Sequence, residues 1–118
     1  MAGPRVTDIR VKQALRQVEF VFETGEGFLL PMELLRVESP SAEVQGHGEG
    51  KTIVAGKRDV GITNIEPVGN YAVRIHFDDG HDTGIYSWEY LHLLGREHAQ
   101  IWNAYVAALQ AKGLSREP

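Results

Sequence analysis

From residue 9 onward, apolar and polar side chains alternate one by one. Ile9 and Val11 are interleaved with Arg10 and Lys12, the period of two expected of a strand with one face buried. The alternation resumes with Val18, Phe20 and Phe22 on one side and Glu19, Val21 and Glu23 on the other. Residues 24–27, TGEG, supply turn residues, and Phe28 and Leu30 carry the apolar face on to Pro31. Three short strands joined by local turns form a meander. Pro31 stands at a favourable helix start for residues 31–38, which read as a short helix or a single turn.

Residues 38–61 lose this regularity and are rich in Ser, Gly and small polar side chains. Such a stretch is long for a loop inside one domain, so it is either mobile or functional. Ile62 and Ile65 resume a strand that Pro67 is expected to stop. The cleanest alternation follows: Tyr71, Val73, Ile75 and Phe77 on one face, Arg74, His76 and Asp78 on the other. Asp79-Gly80 is a strong hairpin-turn signal, and a short strand around Ile85 and Tyr86 pairs back. Ser87 then caps a helix carrying Trp88, Leu91 and Leu94, with Gly95 at its end. A second helix runs from about Arg96 to Lys112 with Ile101, Trp102, Tyr105, Ala108 and Leu109 on one stripe, and Gly113 follows it. The fold class predicted is α+β: a small, mostly antiparallel sheet of meander plus hairpin, with C-terminal helices packed on one face. No repeat or linker divides residues 1–118, so a single domain is expected.

Composition narrows the function classes. The chain has 118 residues, 42% hydrophobic and 24% charged, and a formal net charge of −4. That balance disfavours nonspecific binding to nucleic acid or an anionic membrane, either of which needs excess Lys and Arg. There are no cysteines, which excludes disulfides, thiol catalysis and every zinc site built on thiolates. The N-terminus turns polar at once, without the apolar core of a signal peptide, and no apolar run approaches a membrane span. A cytoplasmic protein is the expectation.

Few stretches advertise chemistry. Gly50-Lys51-Thr52 looks like the end of a phosphate-binding loop, but the glycine required five residues earlier is Gln45. The β-branched residues that follow do not open a helix, so this is a plain loop. His76-Phe77-Asp78 mimics half of an iron-binding triad, yet the chain has too few strands for the barrel that completes such a site. His81, Asp82 and Thr83 follow the hairpin turn beside Tyr86, Trp88 and Tyr90. These short polar side chains fix a corner through backbone hydrogen bonds, or they bind a ligand if His47 or His92 converges with His81. Tyr86 and Trp88 are expected to be largely buried where the hairpin meets the closing helices.

Three segments together, LLRVESPSAEVQGHG, IEPVGNYAVRIHFDDGHDTGIYSWEYL and GREHAQIWNAYVAAL, are distinctive. They resemble the gamma-butyrobetaine hydroxylase N-terminal-like domain family, a domain of unknown function, and in particular its short stand-alone bacterial members. The resemblance spans roughly residues 6–112. In the hydroxylases this domain precedes an oxygenase barrel and binds zinc through three cysteines that follow a Leu-Arg pair and a histidine that follows an Asp-Gly turn. Leu35-Arg36 and His81 match the pair and the histidine. Ser39, Ser41 and Val44 stand where the thiolates would be, so the resemblance implies that the inherited zinc site is lost and that residues 38–50 continue a former zinc loop.

Neither the oxygenase barrel nor the iron–sulfur ATPase to which similar domains are fused is present. The expectation is therefore a nonenzymatic accessory domain that acts on an unidentified protein partner, with no cofactor, no nucleic acid and no membrane, and with a homo-oligomer as a further form. The alternative is an iron- or zinc-binding accessory protein linked to iron–sulfur cluster or iron handling. The candidate interaction surface comprises His47, Asp79, His81, Asp82, Tyr86 and Trp88.

Overall fold

Among the described residues, alternating apolar positions give six strands, but they divide into two sheets rather than one. In the computed structural model, which describes residues 3–46 and 50–118, β1 (Val6–Lys12), β2 (Gln17–Phe22) and β3 (Gly27–Pro31) form an antiparallel meander in the order β1-β2-β3. A second antiparallel sheet has the order β4-β5-β6, with β4 at Ile62–Val68, β5 at Ala72–Phe77 and β6 at Ile85–Ser87. Between them lie two short helices, α1 (Met32–Val37) and α2 (Ala42–Gln45), and an irregular segment. Two longer helices, α3 (Trp88–Arg96) and α4 (His98–Ala111), close the chain. Local alternation fixes each strand, but the long connection carries the chain to a new sheet, and alternation alone is blind to that break.

One core joins both sheets. Val18, Phe20, Phe22 and Leu30 come from the first, Ile62, Val73, Ile75, Phe77 and Tyr86 from the second, and Leu91 and Leu94 from α3. Met32, Leu34 and Leu35 add the buried contribution of α1. This six-residue helix is buried on nearly every side, so packing rather than helical propensity holds it. A smaller cluster unites Val37 with Tyr105 and Leu109 of α4, flanked by Ile53, Val54 and Trp102.

Two expected chain breaks are absent. Pro67 lies inside β4, opposite Val73. Because β4 is an edge strand, the missing N–H of proline takes no hydrogen bond from the ladder. Gly95 lies inside α3 rather than ending it, and a Cβ there would fall 2.3 Å from the Phe28 ring. The glycine permits close passage of the helix over β3. The Ser87 cap is present, its hydroxyl accepting from the Tyr90 amide at 3.1 Å. Gly113 adopts φ 66° and ends α4. Among the described residues no helix is long and apolar enough to cross a membrane.

Candidate functional site

The hairpin between β5 and β6 is closed by a tight turn. Gly80 takes φ 90°, and the Phe77 amide donates to the His81 carbonyl at 3.0 Å. Asp79 organises this turn: its Oδ1 accepts from the His81 amide at 3.0 Å. Its Oδ2 accepts from Arg36 Nε and pairs with Lys57 Nζ, each at 2.7 Å. Burial pushes the Asp79 carboxyl up, but hydrogen bonds from Lys57, the His81 amide and Arg36 outweigh it and bring the pKa down to about 2. Asp79 is therefore an ionised strut linking the turn to α1 and to the segment before β4.

His81 stands behind this strut with its side chain 3% exposed. Its Nε2 lies 2.8 Å from Ser39 Oγ and its Nδ1 3.2 Å from Glu43 Oε1. Glu43 accepts only, so in the neutral ring the proton lies on Nδ1 and Nε2 accepts from the Ser39 hydroxyl. Ser39 Oγ in turn accepts from the Ser41 amide at 3.2 Å. A parallel link joins Ser41 Oγ to Thr83 Oγ1 at 2.7 Å, and the Thr83 hydroxyl donates to Glu43 Oε2 at 3.1 Å. Ser41 also caps α2 by accepting from the Glu43 amide, and Gln45 Nε2 reaches the Ser39 carbonyl at 2.8 Å. Residues 39–45 are thus fastened to residues 79–83 side by side. Gly84 permits the fit, since a Cβ there would lie 2.5 Å from Ser39 Oγ.

The order serine, histidine, carboxylate is that of a hydrolase relay. Here Ser39 is 0% exposed, packed below Gly84 and Tyr86, with no room for an acyl group beside its oxygen. The network binds chain to chain. Nor do the groups at the positions where the resemblance implies a zinc site fit that ion: Ser39 and Ser41 offer hydroxyls engaged in hydrogen bonds, Val44 is a buried hydrocarbon, and both His81 nitrogens are occupied. Among the described residues no group of three His, Cys, Asp or Glu side chains is placed to hold a metal ion.

Of the candidate surface, Asp79, His81 and Asp82 share the corner, and Asp82 is open to solvent. Tyr86 does not belong to a surface. It is fully buried and its hydroxyl donates to the Leu35 carbonyl, because the inner face of β6 turns into the core. Trp88 is half-buried away from the corner, its Nε1 donating to the Asn70 carbonyl at 2.9 Å. It lines a groove of about 500 Å³ between the edges β1 and β4 with Ile9, Val11, Ile65 and Pro67. His47 lies outside the described residues. His92 does not approach His81; it packs between Phe22 and Phe28 and pairs with Glu26 at 2.9 Å. His76 pairs with Glu66 across the second sheet at 2.6 Å. Lys51 of the former phosphate-loop candidate is bound to Glu38. Sequence reasoning named Arg36 only as half of the Leu35-Arg36 pair and missed Glu43 and Lys57 as members of the corner. Of the two missed, Glu43 carried a signal, an acid in the first turn after the capping Ser41.

Residues 9–92 match the family model described as gamma-butyrobetaine hydroxylase-like, N-terminal. The chain belongs to this family. A protein structure solved by NMR in solution is 51% identical over 98% of this chain and 87% of its own, with a TM-score of 0.86. A second NMR structure is 42% identical, covers 98% of this chain and 93% of its own, and has a TM-score of 0.84. A crystal structure of a DUF971 family protein of unknown function from Acidithiobacillus ferrooxidans is 40% identical, covers 80% of this chain and 98% of its own, and has a TM-score of 0.67. No curated protein matches. In this gamma-butyrobetaine hydroxylase-like domain, the corner of residues 39–45 and 79–83 falls within the matched region.

Proposed function

We propose that this domain is a nonenzymatic accessory module that captures a protein partner at the corner formed by residues 39–45 and 79–83. The observation that carries this reading is the Ser39–His81–Glu43 relay, which orders the corner by hydrogen bonds through Ser39 and His81, two positions where the resemblance implies metal ligands. Its outer rim presents the carboxylates of Glu43 and Asp82, 63% and 55% exposed, beside Thr83. Such a rim favours a partner surface that brings cations or hydrogen-bond donors. A buried serine with no space for substrate speaks against acyl-transfer chemistry, and hydroxyls at 39 and 41 with a hydrocarbon at 44 speak against zinc or iron.

A photoreactive residue placed at position 82, compared with one at the exposed Leu29 of the first sheet, tests the surface in cells. Adducts to a discrete protein are expected at 82 and not at 29. Equal labelling, or none at 82, overturns the reading. Elemental analysis of untagged protein tests the metal alternative. Less than about 0.2 equivalents of zinc or iron is expected, because one imidazole without thiolates binds weakly. Stoichiometric metal that disappears in a His81→Ala variant would replace this proposal with the metal-binding one.

A further inference from the structure

The chain after α4 does not trail into solvent. Gly113 reverses it, and Ser115 and Arg116 pass beside residues 56–58, joined to them by two backbone hydrogen bonds. The Gly56 amide donates to the Ser115 carbonyl at 2.9 Å, and the Arg58 amide donates to the Arg116 carbonyl at 3.0 Å. Gly56 has φ 73°, and a Cβ there would sit 3.4 Å from the Glu117 carbonyl. The receiving segment is therefore shaped for close approach of a second backbone.

Arg116 fills a site of defined chemistry. Its guanidinium makes a two-pronged pair with Glu33 of α1, Nε to Oε2 at 2.8 Å and Nη2 to Oε1 at 2.7 Å. Its Cζ lies 5.1 Å from the centre of the Trp102 ring. The Glu33 side chain is 7% exposed and that of Arg116 is 40% exposed. Among the described residues the only ion pair of Glu33 is this one. A buried carboxylate facing an aromatic plate selects the planar fork of arginine over the point charge of lysine. One residue further on, Arg58 meets Glu117 in an ion pair. The site thus reads an arginine followed by an acid, together with two backbone carbonyls.

The receiving side is held without the tail. Tyr105 donates to the Val54 carbonyl at 2.6 Å, Lys57 is bound to Asp79, and Ile53, Val54 and Ala55 pack on the Val37–Tyr105–Leu109 cluster. We propose that Glu33, Trp102 and the 56–58 backbone form a receptor for an extended, arginine-bearing segment of a partner protein. In the free chain Ser115-Arg116-Glu117 occupies that receptor as an internal mimic of the segment. This surface uses α1, α4 and residues 53–58; it shares the Lys57–Asp79 ion pair with the corner at His81 but none of the relay residues Ser39, His81 and Glu43.

The test uses the full chain carrying Arg116→Ala and the synthetic hexapeptide GLSREP, the sequence of residues 113–118. The amide signals of Gly56 and Arg58 and the Trp102 indole signal are followed by NMR. Saturable shifts are expected with this peptide and not with GLSQEP. The wild-type chain should need roughly tenfold more peptide or higher, because its own tail competes at an effective concentration in the millimolar range. If Arg116→Ala loses its fold, the same titration is read on Arg116→Lys, which keeps a cation on Glu33 but gives up the fork. Absence of shifts at millimolar GLSREP in a folded variant, or equal shifts with the glutamine peptide, overturns the proposal.

Discussion

Replacing His81 by alanine tests whether the corner is held by the relay or merely lies beside it. The substitution removes a ring with its side chain 3% exposed and both nitrogens hydrogen-bonded. The bond to Glu43 contributes little, because that carboxylate is 63% exposed and screened. The larger loss is at Ser39, whose fully buried hydroxyl is left without its acceptor at a cost of about 1–3 kcal/mol. Adding the cavity left by the imidazole gives about 3 kcal/mol for His81→Ala. Ser39→Ala should cost about 1–2 kcal/mol, and the double variant no more than about His81→Ala alone, since the shared bond is lost only once. Urea unfolding followed by circular dichroism measures the cycle. Hydrogen exchange reads the local effect: the Ser41 amide, which bonds to Ser39, and the Glu43, Val44 and Gln45 amides, which bond to Ser41, should exchange faster in His81→Ala. A loss below about 0.5 kcal/mol with unchanged exchange at these amides refutes the reasoning.

Two further outcomes follow from the same geometry. The Asp79 pKa, lowered from 3.8 to about 2, contributes stability that is fully present above about pH 5 and is lost as pH falls through about 2; this lowering is worth about 2.5 kcal/mol at most, reduced to about 1 by solvent at the turn. Asp79→Asn should flatten acid unfolding in that window, and an acid transition identical to wild type would show that the strut carries no linkage. Trp88→Ala should cost about 2–3 kcal/mol rather than the 3–5 (roughly) of a fully buried indole, since the ring is half-buried and loses one bond to the Asn70 carbonyl; unfolding at nearly the wild-type urea midpoint would mark it as a surface anchor.

Much of the molecule was legible in local patterns. Val18, Phe20 and Phe22, and likewise Val73, Ile75 and Phe77, point inward as their alternation requires. Ser87 starts α3 and Gly113 ends α4 for reasons carried by the residues themselves. The motif segments sufficed to place the chain in its family. Each of these depends on neighbours within a few positions, where sequence and space coincide.

What the sequence could not decide depends on residues far apart in the chain. Gly95 is a helix end by local rule and a packing notch by tertiary contact, because Phe28 passes where its side chain would be. Pro67 breaks a central strand but is tolerated in β4 because no strand lies on its outer side. The division into two sheets, the pairing of Glu33 with Arg116 and the joining of Ser39 and Glu43 to His81 all span more than thirty positions. Hydrogen bonds and ion pairs are short-ranged and directional, so only the folded backbone selects which polar groups meet. Alternation and capping determined the elements of this protein; closure of the chain on itself decided its corner and its arginine site.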